Sequence, residues 1–140
     1  MKPKLVLMSH GHLAEELHKS AQMIMGEIDG LFTVSMLESD GLDGTRAKFQ
    51  EVLKQAGEGP VIVAADLLSG TPCNVAVQAM YEHPDLRVIT GLNLPMAIEY
   101  AAADMEDVEE LAEYLWDVGH NGVTLVEKPQ ITGGEEGYED

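Results

Sequence analysis

The chain has 140 residues, 45% of them hydrophobic, with 25 acidic against 8 basic side chains and a formal charge of −17. That length and hydrophobic share fit one globular domain with a single core. The charge excludes nucleic acid and an anionic membrane surface as expected partners, because both are held through Lys and Arg.

A single cysteine, Cys73, excludes an internal disulfide framework and a multi-cysteine zinc site, and fits a reducing cytosol. The apolar run Leu5 to Met8 gives way to Ser9-His10 after four residues, too short for a secretory leader. No stretch approaches the ~20 apolar residues of a membrane span. A soluble cytoplasmic domain is expected.

Taken in chain order, Leu5 to Met8 is predicted as a first strand, apolar throughout and therefore buried on both faces. Leu13, Leu17, Ala21 and Ile24 recur at helical spacing, and Gly26 can close that helix. Leu31 to Met36 alternates like a strand nearer an edge. Phe49, Val52 and Leu53 mark a second helix ending near Gly57. Val61 to Ala65 is a third strand, and Ser69 or Thr71 can cap a third helix with Pro72 in its first turn. Arg87 to Thr90 is a fourth strand. An acidic helix is expected from Asp104 to Gly119, with Val108, Leu111, Ala112 and Leu115 as its buried stripe and its carboxylates in solvent. Val123 to Val126 is a fifth strand. Residues 1–129 form the expected domain, and residues 130–140 an acidic tail without regular structure.

This alternation implies an α/β doubly wound domain: a mostly parallel sheet with helices on both faces. Sites in such sheets lie beyond the carboxyl ends of the strands, where the strand order reverses. The residues there are Ser9, His10, Gly11 and His12 after the first strand, Asp66 to Thr71 after the third, and Gly91 to Pro95 after the fourth. If the first and third strands are neighbours, about 4.8 Å apart, His10 and Asp66 meet. A carboxylate on one imidazole nitrogen fixes the tautomer and frees the other nitrogen as a nucleophile. The helix that follows His10 favours an anionic group once attached, and the Ser69-Gly70-Thr71 turn adds backbone N–H groups and two hydroxyls suited to phosphoryl oxygens. There is no Walker-type loop and no G-x-G-x-x-G, so the site suits one phosphoryl group and no nucleotide or other cofactor.

Read from the residues alone, other assignments stand beside this one. His10 can be a loop residue bonded to backbone, with Asp66 capping a turn. His10, His12 and Asp66 can form a metal site. Asp66 can be the phosphorylated residue of a receiver-type regulator, although such domains need an acidic pair where Ser9-His10 stands. His12, His18, His83 and His120 are expected at the surface or as caps. Cys73 is expected in packing, with thiol activation as the alternative. Met23 falls outside the apolar stripe and suits either a docking surface or the core periphery.

Three motifs then become recognisable. LMSHGHLAEELHKSAQMIMG from Leu7, DLLSGTPCN from Asp66 and GLNLPMAIE from Gly91 stand in order and together cover essentially the whole ordered chain. The chain resembles the IIA component of mannose-family sugar phosphotransferase systems. The resemblance implies that His10 accepts phosphate at Nε2 from the phosphohistidine of the carrier HPr and passes it to a IIB component. Asp66 would hold Nδ1 and Thr71 would lie near the phosphoryl group, with Gly70 and Asn93 structural or site-lining. Membrane IIC and IID components would be reached indirectly. It also implies a homodimer in which Val123 to Val126 crosses to the partner's sheet. Leu67 stands where the family commonly has an aromatic residue, and Cys73 where Phe is commoner. The phosphotransfer subunit of dihydroxyacetone kinase is the related alternative.

Overall fold

The computed structural model describes residues 1–132 and 135–136. Its elements in chain order are β1 (Lys4–His10), α1 (Leu13–Met25), β2 (Leu31–Met36), α2 (Gly41–Ala56), β3 (Val61–Ala65), α3 (Thr71–Ala79), β4 (Leu86–Thr90), α4 (Leu94–Ala102), α5 (Val108–Asn121), β5 (Ile131–Thr132) and β6 (Glu135–Glu136). Strands β1 to β4 form one parallel sheet in the order β2-β1-β3-β4. The chain leaves β1 towards one edge and returns to its other side for β3, so the expected reversal lies between β1 and β3.

Side chains of a strand point alternately to opposite faces, and here both faces are covered. Leu5, Leu7, Ile62, Ala64 and Ile89 pack beneath α1, α4 and α5, where Ala14, Ala21, Tyr100, Leu111 and Leu115 meet them. Val6, Met8, Val34, Val63 and Leu86 pack on the opposite face against Phe49 of α2 and Val75 and Ala76 of α3. This is the doubly wound arrangement read from the unbroken apolar strands.

Several elements differ from expectation. In α1 the buried positions are Ala14 and Ala21, while Leu13 and Ile24 are 49% and 59% exposed. Leu17 and Ala21 of the expected stripe do face the core, and Ala14 takes the inward place read for Leu13. Neither Ser69 nor Thr71 caps α3. Its N-cap is Gly70 at φ +98°, and Pro72 occupies the first turn as expected. Helix α4 falls where only a motif was read, capped by Asn93, whose side chain accepts from the Met96 N–H. The acidic helix begins at Val108 because Asp107, not Asp104, accepts the Glu110 N–H at 2.9 Å. It runs past Gly119, which is buried where any Cβ would strike Met96.

The fifth strand is not formed within the single chain. Residues 123–130 have no regular structure, and Val123, Leu125 and Val126 are exposed. A strand exists through its ladder, and in the single chain this segment has no strand beside it. The outer edge of β4 is correspondingly unpaired among the described residues. Within the acidic tail, Ile131–Thr132 pairs antiparallel with Glu135–Glu136, while residues 133–134 and 137–140 lie outside the described residues.

Candidate functional site

His10 is the last residue of β1, and Asp66 follows β3 directly. The parallel register of the two strands brings Met8 opposite Ala65, and the Asp66 N–H donates to the Met8 carbonyl at 3.0 Å. The ladder therefore fixes both residues before any side chain acts. Asp66 Oδ2 then accepts two hydrogen bonds from His10, one from its backbone N–H and one from ring Nδ1, each 2.9 Å long. Asp66 Oδ1 accepts the Leu67 N–H at 3.0 Å. An ionised carboxylate is an acceptor only, so the ring proton sits on Nδ1 and Nε2 carries the free lone pair. The Asp66 side chain is 11% exposed and that of His10 is 40% exposed. A shielded carboxylate thus orients a ring whose far side faces outward.

The N-terminus of α3 closes on that far side. Gly70 lies so near the imidazole that a Cβ on it would come within 2.8 Å of both Cε1 and Nε2. Its φ of +98° is one that side-chain-bearing residues rarely adopt. Glycine at this position therefore serves a turn and a close approach together. Because α3 begins at Thr71, the first N–H groups of the helix have no intrahelical acceptor, and Pro72 carries none. Thr71 is half-buried and Ser69 exposed at this turn.

The remaining candidates separate. Asn93 is a joint between helices: its carbonyl oxygen caps α4, and Nδ2 donates to the Gly119 carbonyl of α5 at 2.8 Å. Met23 is exposed and lies roughly 15 Å along α1 from its His10 end, at 1.5 Å per residue. His12 directs Nδ1 to Glu15 Oε2 at 3.0 Å, and that hydrogen bond holds the Glu15 carboxyl below its ordinary range. Among the described residues no three His, Cys, Asp or Glu side chains converge as metal ligands. Cys73 is 2% exposed, and burial, then the Asp66 charge, pushes its thiol up. It packs and is not activated. His18 is the exception among the histidines expected at the surface. It is half-buried with Nε2 out of solvent and unbonded, and burial pushes it down.

Ser9 was read only as a neighbour of His10. It is wholly buried, accepts the Ala14 N–H at 2.8 Å and donates to the Gly11 carbonyl at 3.1 Å. The available signal was its place just ahead of a helix whose own N-cap, His12, makes no capping bond. Leu13, Leu67 and Leu68, near His10 or Asp66 in the chain, are exposed, and Leu37 follows the strand that pairs with His10.

Residues 4–115 match the family described as the PTS system fructose IIA component. The mannose/sorbose-specific IIA subunit from Enterococcus faecalis superposes with a TM-score of 0.89 at 55% identity, over 94% of this chain and 100% of that one. The sorbose-specific EIIA component of Klebsiella pneumoniae is 29% identical over 93% of this chain and 96% of its own. Its counterpart in Lacticaseibacillus casei is 24% identical over 95% and 97%. On its motifs, its fold and these relatives, the chain belongs to the mannose-type IIA family of sugar phosphotransferase systems and is a phosphoryl-carrying component of such a system.

Proposed function

We propose that His10 is the residue that carries the phosphoryl group, at Nε2, between phospho-HPr and a IIB component. The observation that carries this reading is the double hydrogen bond from His10 to Asp66 Oδ2. It fixes the main chain and the ring of His10 from one point and leaves Nε2 as the nucleophile. The Nε2 lone pair attacks phosphorus, the phosphorus–nitrogen bond to the donor imidazole breaks, and that imidazole keeps the electron pair. Positive charge developing on the His10 ring is met by Asp66 across the Nδ1 proton. The phosphoryl oxygens lie against the first turn of α3, near Gly70 and Thr71, where helix-end N–H groups favour anions. Transfer to IIB runs the same step with His10 as leaving group.

Both partners are proteins, and the exposed leucines around His10 suit a shallow docking face. Residues Leu5 to Ala14 contain no acid, which leaves the approach to His10 open to a partner bearing phosphate. Among the described residues no helix is long and apolar enough to cross a membrane. We place the protein in the cytoplasm, reaching membrane IIC and IID components through IIB. A homodimer in which residues 123–126 pair with the partner's β4 completes the reading, supported by that open edge and by exposed Trp116 beside it.

The receiver-type alternative is disfavoured by Asp66 itself, whose two oxygens already accept three N–H groups. The relatives named above are sugar-transport components, which disfavours the dihydroxyacetone kinase reading. The test is to incubate the chain with phosphoenolpyruvate, HPr and the phosphoenolpyruvate-dependent enzyme that phosphorylates HPr on histidine, then locate the phosphate by mass spectrometry. His10→Ala abolishes labelling and His12→Ala retains it. Asp66→Asn keeps the fold and slows transfer, on the order of 10⁴-fold where an amide replaces the carboxylate in a Ser-His-Asp triad and less where only the ring is oriented. Label on the His10→Ala protein would sink the assignment.

A further inference from the structure

The turn that carries His10 is closed by one buried hydroxyl. Ser9 has no solvent exposure, and its Oγ bonds forward twice, accepting from Ala14 N–H at 2.8 Å and donating to the Gly11 carbonyl at 3.1 Å. His10 lies between Ser9 and these partners. Ala14 is the second residue of α1, so its N–H is one of the donors that a helix leaves without an internal acceptor. The ordinary capping position belongs to His12, which makes no capping bond because its ring is turned to Glu15. Ser9 performs that task from three residues further back, and in doing so ties the end of β1 to the start of α1.

The consequence reaches the imidazole through the backbone. His10 meets Asp66 Oδ2 with its main-chain N–H as well as its ring. A shift of the turn therefore moves both donors relative to the same acceptor. The main chain of the turn is also held by the ladder pairing of His10 with Met36 and by the Gly11 N–H, which donates to the Met36 carbonyl at 2.7 Å. Gly11 itself, at φ +60°, has the conformational freedom of glycine, and the Ser9 hydroxyl is the side chain that ties its carbonyl to the first turn of α1.

We propose that Ser9 is a positioning residue for His10: its hydroxyl holds the β1–α1 turn so that the ring stays on Asp66 in a single tautomer. This rests on the phosphocarrier reading only for its effect on rate, because the tautomer is observable without any phosphoryl donor. Wild type should show one His10 tautomer, protonated at Nδ1, in nitrogen-15 spectra of the imidazole. Ser9→Ala should mix the tautomers, speed exchange of the Nδ1 proton and slow phosphoryl uptake from phospho-HPr roughly tenfold, the scale expected for a slight misplacement of a reacting group. Ser9→Cys fills the same space with a weak donor and acceptor. It should shift all three readouts in the same direction, and it carries the test if the alanine variant fails to fold.

A merely structural cap would lower the melting temperature and leave the His10 signals alone. Unchanged tautomer and proton exchange in the folded variants would overturn the proposal. If wild type takes up no phosphate while the Ser9 variants still lose the single tautomer, positioning stands and the phosphocarrier assignment of His10 falls.

Discussion

Asp66 and Gly70 act on opposite sides of one ring. The carboxylate sets which nitrogen is free, and the glycine sets what that nitrogen faces. Replacing Gly70 by Ala tests the second role. The added Cβ would stand 2.8 Å from Cε1 and Nε2, and the +98° backbone would be strained besides. With ψ at 170° this is an extended positive-φ conformation that is essentially glycine-only, and a side chain there costs about 1–3 kcal/mol, which a denaturant midpoint would register. Phosphoryl transfer should fall further than stability does, because the new methyl occupies the space facing Nε2. A loss of stability with transfer at the wild-type rate would separate the α3 terminus from the chemistry. His10, Asp66 and Gly70 were legible in the sequence because each stands just past a strand and brings a distinct chemical or conformational property. The cap of α3 was not, since Ser69 and Thr71 are good capping residues by type, and only the sharp turn at Gly70 removes them from that position.

At the scale of elements, α4 shows where periodicity stops being informative. Its nine residues, LPMAIEYAA, carry apolar side chains nearly all round, and a short apolar run cannot be assigned by spacing alone. The helix is instead fixed by tertiary bonds. Tyr100 is 1% exposed and donates its phenol proton to the Pro3 carbonyl at 2.7 Å. Lys2 lies 4.4 Å over the same ring and donates to the Tyr100 and Ala103 carbonyls at the helix end, where a cation is favoured. Burial pushes the Tyr100 phenol up from 10.0 to about 12. The folded protein then keeps a proton that the unfolded chain releases, so this contribution is complete below pH 10.0 and is lost as pH rises towards about 12. Tyr100→Phe should cost about 1–3 kcal/mol at neutral pH through the unpaired Pro3 carbonyl. It should also flatten the alkaline decline seen in urea unfolding, leaving the smaller share of Tyr114, whose phenol is raised by its bond to Glu99. An identical alkaline slope in the two proteins would count against the buried phenol as its source. The start of α5 was obscured for a different reason. Asp104 and Asp107 are equally good caps by type, and only the Glu110 N–H distinguishes them.

For the whole molecule, the parallel doubly wound class was readable because connection rules act within one chain, while the pairing of β1 with β3 stood only as a condition that the register meets. The place of residues 123–126 was not readable, because a strand pattern states that a ladder is wanted without saying which chain provides it. Exposed Leu125 and an unpaired β4 edge are the two halves of that unanswered pattern. In the dimer we propose, wild type should sediment as two chains, and Val123→Asp combined with Leu125→Asp should sediment as one with its far-ultraviolet spectrum largely kept. A monomeric wild type at concentrations of tens of micromolar or above, where an interface of ordinary micromolar affinity or better is mostly filled, would remove the exchanged strand from the account. The acidic helix α5 and the tail concentrate charge in the last third of the chain, while the His10 turn is free of acid.

The half-open setting of His10 has a consequence for time. With 40% of its side chain exposed, the ring lies at the surface and not in a chamber that closes over it. An open site does not exclude water, so a phosphohistidine formed there is exposed to hydrolysis from the moment the donor leaves. In the carrier we propose, the charged form would then be a store whose useful span is set by how soon an acceptor arrives. The abundance of IIB relative to this chain, as much as the speed of either transfer, would decide how much phosphoryl reaches sugar and how much is lost to solvent.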